Sequence, residues 1–215
     1  MQAAFEGSRV TFRNVNMHMI LSQVWDIHQD ALIGEPNWVR DVRYDMVAKA
    51  KTNSSRDELR TMMLHLLEER FHLQWHPETR VMNAYVLTQS KKGIRFRTDT
   101  APTDDDADLC KLTGLVTRTL SCRHITMAEV AKRLPLWGPA FVPTLVLDKT
   151  ELQGTYQFDL EFNPLSIVNN PDWAKISPIS LPDAMESHLG LRLESQKAPV
   201  PVIVVDHLDR EPSEN

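Results

Sequence analysis

The sequence predicts an α+β protein of two similar halves, each placing two helices on one face of a small, mostly antiparallel sheet. Three observations carry this prediction. Period-two alternation and helix-spaced apolar residues take turns along the chain. The same order of elements is written twice, at an offset of about 110 residues. The composition, 42% hydrophobic and 25% charged over 215 residues, is that of a globular chain long enough for a sizeable core.

The repeat is plainest where RNVNMHMILSQV (Arg13–Val24) meets RHITMAEVAKRL (Arg123–Leu134). Met17, Ile20, Leu21, Val24 and Trp25 make one apolar helix face, with Asn16 as N-cap. Met127, Val130, Ala131 and Leu134 make the matching face, and Thr126 to Glu129 reads as a capping box. Strands follow: Arg43–Ala50 and Thr155–Phe162 both alternate with period two. A second helix comes next in each half. One carries Leu59, Met62, Met63, Leu66 and Leu67 behind a Ser55–Glu58 capping box. The other carries Leu181, Ala184, Met185, His188 and Leu189, starts near Ser180 and stops at Gly190. Then RFHLQWH (Arg70–His76) aligns with LRLESQK, and NAYVLTQS with PVIVVDHL, as two more strands in each half.

This organisation gives a first half over 1–97, an acidic linker over 98–109 (TDTAPTDDDADL), and a second half over 110–215. The second half carries a long inserted loop at 163–180, the better of the two loops as a partner site. The net charge of −5 and scattered cations oppose nucleic-acid binding. No apolar run approaches the roughly 20 residues of a membrane helix. The opening MQAAFEGSRV has no apolar region of a signal peptide. Three readings stand for Cys110 and Cys122: unpaired small hydrophobes, a disulfide closing a short loop, or a shared metal site. The disulfide reading implies an oxidising compartment.

The two histidines of RFHLQWH raise the question of a metal site. As a strand, the segment buries Phe71, Leu73 and Trp75 and puts His72 and His76 on the other face. Four strand residues span about 13 Å, whereas zinc holds nitrogen ligands at about 2.1 Å. No metal is therefore expected, and the histidines read as solvated. No phosphate-binding glycine loop, nucleotide fingerprint or nucleophile elbow occurs, so no cofactor is expected either. The weak catalytic candidates are Asp148 and Lys149, in a turn closed by Gly154, and Asp206 and His207, at the end of the last strand. Trp137 and Trp173 read as loop residues and are the weak ligand-binding candidates.

The stretches PNWVRDVRYDMVAKA, LRTMMLHLLEERFHLQWHPETRVMNAYVL, ITMAEVAKRL, VLDKTELQGTYQFDLEF, HLGLRLESQKAPVPVIVVDHL and the tail PSEN span nearly the whole chain. In order and spacing they resemble the soil-associated, acidobacterial family of unknown function. The resemblance implies an exported or envelope-associated protein and carries no catalytic residues. This chain has Glu151 where the family more often has glycine, which implies a backbone there that need not be left-handed. The element order is also similar to the short N-terminal modules of secretins and TonB-dependent receptors, which are interaction domains. The expectation is a non-catalytic, extracytoplasmic binding or protein-interaction module whose partner is a protein or envelope component. The alternative is a hydrolase-type enzyme with Asp148, Lys149, Asp206 and His207 converging in a cleft between the halves.

Overall fold

The computed structural model describes residues 2–51, 54–100 and 109–213. The architecture is α+β, and by tertiary contacts the chain divides into two compact units. The first is Met1–Arg80 with Pro199–Asn215, and the second is Val81–Ala198. The units do not coincide with the sequence halves, because the last strand of the chain returns to the first unit.

The first unit opens with the antiparallel strands β1 (Gln2–Glu6) and β2 (Arg9–Asn16), to which β4 (Arg43–Lys49) adds on the other side in the order β1-β2-β4. Helix α1 (Met17–Trp25) follows β2 directly. Asn16 caps it as expected, its side-chain oxygen accepting the Met19 amide at 2.9 Å. Helix α2 (Arg56–Arg70) starts at Ser55, where both hydrogen bonds of the capping box are made. Phe12, Met17, Ile20, Leu21, Leu59, Met63 and Leu67 are buried together, so the alternating face of the sheet and the stripes of both helices share one core.

The second unit contains β8 (Arg118–Ile125), α3 (Met127–Trp137), β10 (Tyr156–Phe162) and α5 (Leu181–Ala184), which runs on as one π turn over Met185–Leu189. Here the sheet order is β6-β10-β8-β7, with β6 at Arg97–Thr98 and β7 at Cys110–Thr113. Leu120, Ile125, Met127, Leu134, Phe158, Phe162 and Leu189 form its core. Gly190 ends the π turn at φ 72, and a Cβ there would run into the Gly93 carbonyl oxygen, so only glycine fits. Thr126 caps α3, but the capping box is half made: Glu129 turns its carboxylate to Arg133 at 3.1 Å instead.

Two long strands, β5 (Gln74–Gln89) and β11 (Leu191–His207), each have part of their length in both units. With β3 (Leu32–Ile33) and β9 (Val146–Asp148) they make the sheet β3-β11-β5-β9. The sequence reading broke each long strand in two. Each is continuous in the structure, running through Pro77 in β5 and Pro199 and Pro201 in β11, although proline donates nothing to a ladder.

Several features recur at matched positions. The residue two before the N-cap of α1, Asn14, has φ 55, and its counterpart before α3, His124, has φ 50. Each backbone amide is satisfied by a carboxylate, Asn14 by Asp45 at 2.7 Å and His124 by Asp99 at 2.8 Å. After the second helix of each unit a left-handed residue turns the chain, His72 at φ 48 and Gly190 at φ 72.

Other expectations need correction. The linker does not begin at 98: Thr98 pairs with Tyr156 in the sheet, and Asp99 is buried and exchanges hydrogen bonds with Thr155. Residues 101–108 lie outside the described residues. Glu151 is left-handed after all, at φ 59, in the turn that follows the Asp148–Thr150 hydrogen bonds. His72 precedes β5 instead of lying in it, although Phe71 and Leu73 do pack inward.

Candidate functional site

Among the described residues, strand β4 is hydrogen-bonded on one side only, by β2. The Ala50 amide donates to the Ser8 carbonyl at 2.8 Å, and the register continues through Val10↔Ala48 and Phe12↔Met46. Hydrogen-bonded and non-bonded pairs alternate in an antiparallel ladder. Ala48 and Met46 therefore turn their backbone groups toward β2, while Lys49, Val47 and, by the same alternation, Asp45 turn theirs to the free edge. Charged side chains at Arg43, Asp45 and Lys49 flank this edge and discourage indiscriminate pairing.

Along that edge runs a groove of about 830 Å³. One wall is Tyr44, Asp45, Met46 and Val47; the other is Glu58, Thr61, Met62, His65, Leu66 and Glu69 of α2. The α2 residues fall at i, i+3, i+4, i+7, i+8 and i+11, one stripe of a helix. Consecutive side chains of a strand point to opposite faces. Four in a row can line one groove only if it follows the strand's edge and not one of its faces. Met46, Met62, Leu66 and Phe71 make the floor apolar, and Val47 is 51% exposed at the rim.

The C-terminal segment closes one end with Pro212. Tyr44 Oη donates to the Arg210 carbonyl at 2.6 Å, and the Ser213 amide donates to the Arg70 carbonyl at 2.7 Å. Burial holds the Tyr44 hydroxyl above the usual phenol range, so it serves as a neutral donor. The groove carries three carboxylates, Asp45, Glu58 and Glu69, against one guanidinium, Arg70. Glu58 is occupied in the α2 cap. Glu69 makes no hydrogen bond or ion pair among the described residues.

The residues singled out in the sequence lie elsewhere. Asp148 and Lys149 belong to the second unit, Asp206 and His207 to the first. Asp148 accepts from the Thr150 amide at 2.9 Å and hydroxyl at 2.7 Å, which is turn chemistry. Asp206 accepts from His76 Nδ1 at 2.8 Å, and His207 Nε2 donates to Asp209 at 3.0 Å. Asp209 also accepts from His72 Nδ1 at 2.7 Å. No hydrogen bond joins the four catalytic candidates to one another among the described residues. Trp137 is no loop residue: it closes α3 and is only 8% exposed, because α3 runs three residues past the expected stripe despite Pro135. Trp173 lies half-buried in a 3₁₀ turn, Pro171–Ile176, inside the inserted loop. That loop also contains helix α4 (Leu165–Val168) and is pinned at its ends by Asn163, which exchanges hydrogen bonds with Ile179.

The two His–Asp groupings tie His72, just before β5, and His76, within it, to the end of β11 and the residues just after it. Hydrogen bonds from His72 and then His207 hold the Asp209 carboxyl below the usual carboxylate range. A depressed folded-state value adds stability that is present above the ordinary carboxylate pKa and is lost as pH falls through the lowered one. Asp209→Asn should remove that acid-side dependence, read as a flatter stability-versus-pH curve in urea titrations. An unchanged curve would show that these bonds do not count in solution. Among the described residues no three His, Cys, Asp or Glu groups are placed to hold a metal ion.

Sequence reasoning missed the groove. Met62 and Leu66 were assigned to the core stripe of α2 with Leu59 and Met63, yet they are only half-buried and face the strand edge. Nothing in the stripe marks the groove, since i, i+3, i+4, i+7, i+8 is the ordinary width of a core-facing helix.

No helix among the described residues is long and apolar enough to cross a membrane. No curated protein and no solved structure matches the chain. The model of the family described as protein of unknown function (DUF3738) matches residues 18–208, which include β4, α2 and most of both units, and the chain belongs to that family.

Proposed function

We propose that this protein is a non-catalytic, extracytoplasmic interaction module, and that the groove between β4 and α2 is where it holds a polypeptide partner. The observation that carries the reading is the run Tyr44–Val47 lining the groove with an unpaired strand edge, since an open edge beside an apolar wall suits strand addition. The cross-strand Cys110–Cys122 disulfide supports a compartment in which disulfides persist. A photo-crosslinking residue placed at Leu66 should capture a protein partner in intact cells. The same residue at Leu136, which is 76% exposed in the second unit, should not. Equal capture at both positions, or capture at Leu136 alone, would remove the groove from this role.

We further read the two halves as copies of one ancestral unit, on the matched left-handed residues and the matched caps. A crystal structure in which the backbones of 9–25 and 119–135 fail to superpose would count against it.

A further inference from the structure

We infer that the groove's occupant is an extended, basic peptide that adds to β4 as a fourth strand of the β1-β2-β4 sheet. This rests on the reading of the groove as the contact surface and names what fills it.

Three features select this occupant. The first is the backbone. Val47 and its alternate neighbours Asp45 and Lys49 direct N–H and C=O groups away from β2, so their complement is another strand. The second is the period. Side chains of an added strand alternate, so every second one meets the apolar surface of Met46, Met62 and Leu66 while the others face water. The four lining residues of β4 accommodate a stretch of about 13 Å, two such apolar positions. The third is charge. Asp45 accepts the Asn14 amide and Glu58 caps α2, whereas Glu69 has no partner among the described residues. Glu69 stands on the same wall as Met62 and Leu66, so a lysine or arginine on the ligand's inward face, next after its two apolar positions, supplies one. A second copy of this chain suits the groove less well, because it brings a net charge of −5 and the same carboxylates.

The test uses the whole protein and a labelled peptide whose alternate, inward positions are valine, valine and lysine with serine between them, read by fluorescence anisotropy. The same peptide with glutamate in place of the lysine should bind about tenfold more weakly or worse. Two backbone-methylated versions of the lysine peptide, one methylated at the amides of the inward residues and one at the serine amides, probe the edge. One set presents its amides to β4 and should lose about tenfold in affinity, while the other faces away and keeps it. Glu69→Gln should narrow the preference for lysine over glutamate. Val47→Pro should abolish binding, and because the Val47 N–H points off the sheet the substitution takes nothing from the β2 ladder.

Equal binding of basic and acidic peptides, or indifference to both methylation patterns, or equal loss with both, overturns the inference. It leaves the groove reading intact provided Leu66→Lys still weakens binding. If Leu66→Lys and Val47→Pro both leave peptide binding unchanged, the groove reading itself fails. Self-association on sedimentation that Val47→Pro abolishes would assign the edge to a second copy instead.

Discussion

Phe12→Ala is expected to destabilise the first unit by about 3–5 kcal/mol. The Phe12 side chain is fully buried on the inner face of β2, and its ring meets Phe5 edge-on at 5.8 Å between centroids. Around it lie Val10, Met17, Leu59 and Met63, in the core that holds both helices on the sheet. Truncation removes the transfer free energy of a phenyl group and leaves a cavity that residues fixed in regular elements fill only in part. Trp25 and Trp75 belong to the same unit, with ring centroids 5.3 Å apart, and their fluorescence reports its unfolding in urea. Phe12→Leu should recover much of the loss. A cost below about 1 kcal/mol for the alanine variant would mean that β2 does not pack as described. Because, among the described residues, β2 is the strand that holds β4 in its sheet, the alanine variant should also weaken peptide binding in the groove.

Removing the Cys110–Cys122 disulfide should cost the second unit about 3 kcal/mol. The two cysteines face each other directly in the β7–β8 pairing, and the bond closes a segment of 12 residues in sequence separation. A loop of that size constrains the unfolded chain by roughly this amount, so the loss arises mainly in the unfolded state. Cys122 is fully buried beside Leu120 and Phe158, so Cys122→Ala adds a small packing loss that Cys110→Ala, nearer the surface, avoids. Denaturation of the oxidised protein, the reduced protein and Cys110→Ala separates the terms. Coincident curves for oxidised and reduced protein would show that the bond contributes nothing and would remove its support for an oxidising compartment.

The local elements were legible in the sequence because their causes are local. Asn16, Ser55, Thr126 and Ser180 each accept a backbone amide of the helix that follows, and a cap acts over three residues. The strands Arg43–Lys49 and Tyr156–Phe162 show their period directly. Errors arose where a local sign and a distant partner disagreed. The strands read at Arg70–His76 and Asn83–Ser90 run together in the single strand β5, and those read at Leu191–Lys197 and Pro201–Leu208 in β11. Trp137 looked like a loop residue after Pro135, yet packing against the second core keeps it helical and buried.

By itself the sequence determined the fold class, the helices with their caps, and the faces they bury, since period and capping depend on neighbours within a few residues. The tertiary structure alone decided which strands stand at an edge. It also paired His72 with Asp209, 137 residues away, and divided the chain so that its last strand closes the first unit. The groove belongs to this second class: Val47 and Leu66 have ordinary strand and helix surroundings in sequence. They come to line one groove only because β4, among the described residues, gains a strand on one side and none on the other.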